Sequence, residues 1–382
     1  MVIERKVILM RKVERSGRNY GIDLLRIVAM FFVVLLHSLC GSGILDSTDP
    51  SIVNSGLYNS FWLLEIIAYG AVNIFAMISG YVGYSPKVKT HKFSKIIVLW
   101  LQTVFWSVIM ALIAKYLLSI GVGKRDFAIQ MTPLIHNNYW YLTAYFCLFF
   151  FLPVIDAAVR VITIKNLKYL LVVLLAITTI GNHIFNIEFF LNSGYSVLWL
   201  AILYFVGAAL KKCNIGKNLK PYKCVLGIIG LHLLTWFVFL LNKDLTVFGK
   251  PIITKYTLIS YLSPTIVLSS ILYILWFNKM KLPNFMIKIV KFAAPGAFAA
   301  YLLNTNKYFY NYGRLWQQSL VGVVDSWKLI LTAVAFSMAF FIVSVLVDKI
   351  RQLLFYVCRV DKVTVWIETK ARIALDKVCS RF

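Results

Sequence analysis

The chain has 382 residues, of which 60% are hydrophobic and only 14% charged, and its mean hydropathy is +0.78. Such values exclude an ordinary soluble domain and point to a polytopic membrane protein. The net charge of +25 would suit a nucleic-acid binder, but the basic residues stand in short clusters between long apolar runs. That is the pattern of cytoplasmic loops, so no nucleic-acid partner is expected.

Residues 1–21 form a basic tail. Its "VILM" is too short for the apolar region of a signal peptide, and no small-residue cleavage site follows the first long apolar run, so no cleavage is expected. A hydrocarbon core needs about 20 apolar residues per helix. Ten stretches qualify, at about 22–40, 61–84, 96–120, 139–163, 168–183, 195–210, 223–241, 256–277, 289–305 and 328–350. The expected fold is therefore all-α, a polytopic integral membrane protein of about ten transmembrane helices, with its membrane domain over residues 22–350. In the tail, 351–382, Val363, Trp366, Ile367, Ala371, Ala374, Leu375 and Val378 recur at helical spacing with Lys and Arg between them. This predicts a basic amphipathic helix on the inner membrane surface, in contact with lipids.

Orientation follows from charge. With the N-terminus inside, the cytoplasmic segments carry 30 Lys and Arg and the external loops 7. The positive-inside rule then puts both termini in the cytoplasm. The six cysteines form no CxxC pair, and four fall in segments assigned to the cytoplasm, so they read as structural thiols.

The first span, "GIDLLRIVAMFFVVLLH", places Asp23, Arg26 and His37 in or at the ends of a greasy run. Ionisable residues in spans are costly and usually functional. Arg26 and His37 are eleven residues apart. At about 100° and 1.5 Å per residue they share one face to within roughly 20°, about 16 Å apart along the axis. Asp23 lies three residues before Arg26, within pairing distance. The alternative is an interfacial ion pair and a satisfied core histidine.

Arg-x10-His in a first span is similar to the signature of the membrane acyltransferase family that O-acetylates bacterial polysaccharides, often called acyltransferase family 3. Further stretches resemble that family in order: "NIFAMISGYVGY" (73–84), "KFSKI" (92–96), "NNYWYLTAYFCLFFFLPVID" (137–156), "YFVGAAL" (204–210), "FAAYLLNTN" (298–306) and "VDKIRQLLF" (347–355). Three departures stand out. Lys92 and Lys95 replace arginines, keeping charge but losing bidentate phosphate binding. Asn304 stands where related sequences often carry histidine. No hydrolase-like domain follows, so the membrane domain is expected to complete the reaction or to pass the group to a separate partner.

The resemblance implies an acyl-CoA donor, most often acetyl-CoA, a sugar or glycan hydroxyl as acceptor, and location in a bacterial cell membrane. Polysaccharide-assembly proteins are further expected partners. Arg26 (held by Asp23), Lys92 and Lys95 fall at cytoplasmic ends of spans, where they suit the donor's phosphates. Ser79 and Gly80 end the second span at the same level, and Gly80 allows close backbone approach. A pantetheine arm threading outward along the first span brings its thioester near His37. A neutral imidazole suits either a base for the acceptor hydroxyl or a transient acyl carrier. Glu65 lies at a similar depth, placed to orient the imidazole or to snorkel at the interface. Tyr139, Trp140, Tyr141 and Asn304 are candidates for acceptor or oxyanion contacts.

The remaining polar groups carry weaker signals. Asp156 and Arg160 read as a structural i, i+4 pair, His183 and Glu188 as solvated loop residues, and His91 as part of a basic loop. His136 and His232 lack partners at useful spacing. With no HxxxH or Cys/His cluster, no metal is expected. Two other classes fit ten spans with buried charges: a transporter or flippase for a glycolipid or small solute, and a non-catalytic member of a polysaccharide-assembly complex. No inverted repeat or pair of Gly/Pro-broken helices favours transport.

Overall fold

The computed structural model describes residues 18–88, 90–182, 189–241, 245–247, 250–321 and 323–380. The long apolar runs are helical because a backbone in lipid must satisfy its own N–H and C=O groups. Helix α1 (Tyr20–Gly41) starts at Asn19, whose side chain accepts the Ile22 N–H. After the short α2 (Pro50–Val53), α3 (Gly56–Tyr69) and α4 (Ala71–Gly83) form one span broken at Gly70. Next come α5 (Phe93–Tyr116), the short α6 (Lys124–Met131) and α7 (Trp140–Val161). α8 (Ile164–Leu175) runs on as a π-helical stretch, Ala176–Gly181. α9 (Val197–Lys212) and α10 (Pro221–Leu241) precede an antiparallel hairpin of β1 (Leu245–Val247) and β2 (Lys250–Ile253). The chain continues through α11 (Pro264–Asn278), α12 (Asn284–Ala293), α13 (Ala297–Asn304), α14 (Lys307–Leu320), α15 (Ser326–Val357) and α16 (Val360–Cys379). That hairpin is the exception to the all-α expectation among the described residues.

Each of the ten apolar stretches contains a helix, but not ten helices of spanning length. Among the described residues seven are long and apolar enough to cross a membrane, and eight if the bent pair α12–α13 counts as one. The stretch at 195–210 becomes the 16-residue α9, capped by Ser196. In the stretch at 256–277 the helix waits for Pro264, leaving a 15-residue α11. At 1.5 Å per residue both fall short of a core about 30 Å thick. The stretch at 289–305 bends by 43° between α12 and α13. Conversely α15, with 32 residues, is about 48 Å long and overshoots that core.

The first span lies at the centre. α1 packs against α3, α4, α11, α13, α14 and α15. The outward faces of α7, α8, α10 and α15 carry exposed Phe150, Phe151, Val172, Leu226, Leu331 and Ile342, a surface suited to lipid and not to water. Several buried hydroxyls are satisfied within their own helices, as in Thr103 to Leu99 O and Ser337 to Ala333 O. All six cysteines are free.

The packing of α4 against α9 depends on two glycines. A Cβ at Gly80 would lie 1.8 Å from the Tyr204 carbonyl oxygen, and one at Gly207 would lie 1.9 Å from the Met77 carbonyl oxygen. Both neighbours are backbone and cannot swing away. The close approach that Gly80 permits in this fold is to α9. Gly80→Ala and Gly207→Ala are each expected to lower stability by about 1–3 kcal/mol through overpacking, read as an earlier thermal unfolding transition in detergent. An unchanged transition would mean the two helices tolerate separation.

Candidate active site

Two cavities lie in series along α1, α4 and α7. One has a volume of about 160 Å³. α1 lines it with Met30, Val33, His37 and Cys40, α3 with Glu65 and Tyr69, α4 with Val72 and Phe75, α7 with Trp140 and Tyr141, and Tyr195, Tyr261 and Tyr301 complete its wall. The second, of about 700 Å³, is lined by Arg26, Ser79, Thr90, His91, Lys92, Lys95, Tyr145, Phe149, Asp156 and Tyr204. Met30, Phe75 and Tyr141 face the first cavity, and Arg26, Ser79 and Tyr145, one turn away on the same three helices, face the second. A four-residue step is about 6 Å, so only one turn of side chains separates the two spaces.

The larger cavity is basic. Arg26 donates to Asp23 Oδ1 at 2.9 Å, as the i, i+3 spacing predicts, and Arg18 donates to Asp23 Oδ2. Asp23 is buried and anchors the guanidinium, while Arg26 stays partly exposed. Lys92 and Lys95 are exposed at the rim and form no ion pair among the described residues. Ser79 lines the cavity, although its hydroxyl donates to Phe75 O at 3.1 Å. Asp156 does not pair with Arg160. It accepts the Tyr204 hydroxyl at 3.0 Å and meets His91 Nε2 at 3.1 Å. His91 is thus built into the wall of the cavity and is not merely part of a basic loop. With that one acid occupied, the space attracts anions.

The smaller cavity centres on His37. Its Nδ1 lies 2.7 Å from Asn304 Oδ1, and Tyr310 stands edge-on to the ring at 5.9 Å. An amide oxygen only accepts, so Nδ1 carries a proton, and in the neutral imidazole Nε2 then keeps its lone pair. Asn304, buried at the end of α13, is thus the residue that orients the imidazole. Glu65 lines the same cavity but makes no bond to His37, and its Oε2 has no partner. The group that His37 Nδ1 meets is therefore Asn304 and not Glu65. The hydroxyls of Tyr141 and Tyr301 are also buried without partners. Buried polar atoms without a protein partner are costly, and three around one cavity mark a place where a polar ligand fits.

Tyr139 does not line the cavity. It is fully buried, and its hydroxyl accepts from Ser107 Oγ and Asn306 Nδ2, both at 3.0 Å. It braces α5 and the start of α14. Trp140 and Tyr141 do line the space, and they open α7. The first backbone bond of that helix is Thr143 N–H to Tyr139 O, and Tyr139 supplies no side-chain cap. The amides of Trp140, Tyr141 and Leu142 precede that bond and point along the positive end of the helix dipole.

His183 and Glu188 lie outside the described residues, as do 1–17 of the basic tail. His136 is exposed, and His232 is buried in α10 with Nε2 unpartnered, apart from both cavities. No group of three or more metal-ligating side chains occurs among the described residues.

A family model described as an acyltransferase domain matches residues 19–349. No curated protein and no solved structure matches the chain.

Proposed function

The chain belongs to the acyltransferase-domain family, acyltransferase family 3, and from that premise we propose that it is a membrane O-acyltransferase. It moves an acyl group, acetyl in the simplest case, from cytoplasmic acyl-CoA to a hydroxyl of a cell-envelope polysaccharide or its lipid-linked precursor. The observation that carries this reading is the pair of cavities in series, with Arg26 on one and His37 on the other. Arg26, Lys92 and Lys95 bind the phosphates of CoA at the basic end, which the charge bias assigns to the cytoplasm. The pantetheine arm passes between Met30, Phe75 and Tyr141, and the thioester reaches His37.

In a direct transfer, His37 Nε2 takes the proton of the acceptor hydroxyl as its oxygen attacks the thioester carbonyl. The tetrahedral oxyanion is met by the first-turn amides of α7 with the Tyr141 and Tyr301 hydroxyls. It collapses, the C–S bond breaks, and the CoA thiolate takes the proton back from His37. Asn304 holds the imidazole in the required tautomer. The aromatic wall of Trp140, Tyr69, Tyr195 and Tyr261 with an unpaired Glu65 suits a sugar, which offers both apolar faces and hydroxyls.

The test is transfer of label from acetyl-CoA, labelled in the acetyl group, to the glycan fraction of membranes containing the protein. Succinyl-CoA is tried in parallel. Absence of transfer with both donors sinks the enzyme reading and favours transport or scaffolding. Arg26→Ala is expected to raise the donor KM by roughly ten- to a hundredfold, the worth of a charge-assisted hydrogen bond, with kcat little changed. A fall in kcat at an unchanged KM would place Arg26 at the chemistry and not at the donor.

A further inference from the structure

The last helix meets the rest of the chain through its polar face. Thr364 and Glu368 of α16 are buried, and α16 packs on α5. Glu368 accepts the Ser94 backbone N–H at 2.9 Å. Arg372 donates to Glu368 Oε1 at 2.8 Å and to the His91 carbonyl at 2.7 Å, and its guanidinium lies 5.2 Å from the Phe93 ring centre. α5 has no cap of its own, since Lys92 at its N-cap position makes no side-chain bond. Such an end leaves orphan N–H donors at the positive pole of the helix, and here a carboxylate 274 residues away satisfies one of them.

Burial alone would push the Glu368 carboxyl up. The N–H of Ser94 and the guanidinium of Arg372 outweigh it and hold the group at about 2. Glu368 is therefore ionised at neutral pH. The opposite side of α16 leaves Val363, Trp366 and Ile373 exposed, with Lys370 and Lys377 among them. The packing of α16 on the bundle thus rests on its polar contacts.

The gripped segment is also the rim of the basic cavity. His91, Lys92 and Lys95 line that cavity, and His91 is tied across it to Asp156 at 3.1 Å. α16 therefore holds the backbone of residues 91–94 from one side, while their neighbouring side chains face the cavity from the other.

We propose that Glu368 and Arg372 are positioning residues for donor binding: the C-terminal helix clamps the start of α5 so that His91, Lys92 and Lys95 are held in place for the phosphates of CoA. This rests on the reading of the basic cavity as the acyl-CoA site. Neither residue touches the donor. Both act through the 91–95 segment.

The experiment is calorimetric titration of CoA into the purified full-length protein, paired with hydrogen exchange of the peptide spanning residues 90–97. Loss of a charge-assisted clamp in Glu368→Ala or Arg372→Ala is expected to weaken CoA binding roughly tenfold and to speed exchange in that peptide alone. In turnover assays the donor KM rises while kcat at saturating donor holds, a split that general loss of structure would not give. Should an alanine variant expose amides throughout the chain, Arg372→Lys, which keeps the charge but loses the planar fork, takes its place and is expected to show a smaller shift of the same sign. CoA binding equal to wild type in a folded Glu368→Ala protein overturns the proposal. If wild type binds no CoA, the donor reading itself fails and the clamp falls with it.

Discussion

Replacing His37 by alanine is expected to reduce acyl transfer by a factor of about 10²–10⁴, the usual contribution of a positioned general base, while CoA binding is retained. The two effects separate because the residues are remote. Arg26 and His37 are eleven positions apart on α1, about 16 Å along the axis, and they line different cavities. Removing the imidazole therefore leaves the basic cavity untouched. Asn304→Ala is expected to fall between wild type and His37→Ala, because the base survives but loses the 2.7 Å contact that fixes its tautomer and orientation. Label transfer with expression-matched variants, beside calorimetric CoA binding, reads both quantities. Normal transfer by His37→Ala in a protein that does acylate would leave the reaction standing and move its chemistry elsewhere, with Glu65 the next residue to replace.

What the sequence revealed about this site depended on range. The Arg26–His37 face and the Asp23–Arg26 pair were legible because both lie on one helix, where the period of 3.6 residues fixes who shares a side. Ser79, Lys92 and Lys95 were placed by depth along their spans, and they line one cavity with Arg26. Depth is a weaker guide than phase. It grouped Glu65 and Tyr139 with His37; Glu65 does line the His37 cavity, without a bond to the imidazole, but Tyr139 turns away to brace Ser107 and Asn306. The Asn304 partner of His37 is 267 residues away and the Glu368 cap of Ser94 is 274 away. No local periodicity encodes such pairs. Helix length departs from the apolar stretches for a related reason: hydropathy registers apolar content, but Pro264 and the bend before α13 decide where the helices begin. Gly80 was noticed for its lack of a side chain, and the helix that uses the space, α9, became visible only in the packing.

Asp348→Ala is expected to destabilise the protein by about 3–5 kcal/mol, the cost of stranding a buried charge. Asp348 is fully buried and Arg351 nearly so. The two carboxylate oxygens take four bonds: Oδ1 from Trp106 Nε1 at 2.9 Å and Arg351 Nε at 2.8 Å, Oδ2 from an Arg351 terminal nitrogen at 2.7 Å and Gln352 Nε2 at 2.9 Å. Every lone pair in the plane of the carboxylate is used, which is the condition for a buried ion pair to be tolerated. Alanine removes the acceptor and leaves the guanidinium, the indole N–H and the amide unpaired together. The consequence reaches the site through the bent pair of helices. Gly296 lies at the bend between α12 and α13, and a Cβ there would sit 3.2 Å from Val345 O and 3.5 Å from Asp348 Oδ2. α13 is thus set against α15 at this cluster, and α13 carries Tyr301 and Asn304 to the His37 cavity. Thermal unfolding in detergent measures the loss. The double variant Asp348→Leu with Arg351→Met is expected to recover most of the stability, since an apolar pair of similar bulk replaces a satisfied ion pair at little cost. Full stability in Asp348→Ala alone would mean that the cluster does not hold the bend, and the seating of Asn304 against His37 would then rest on the packing of α13 against α1.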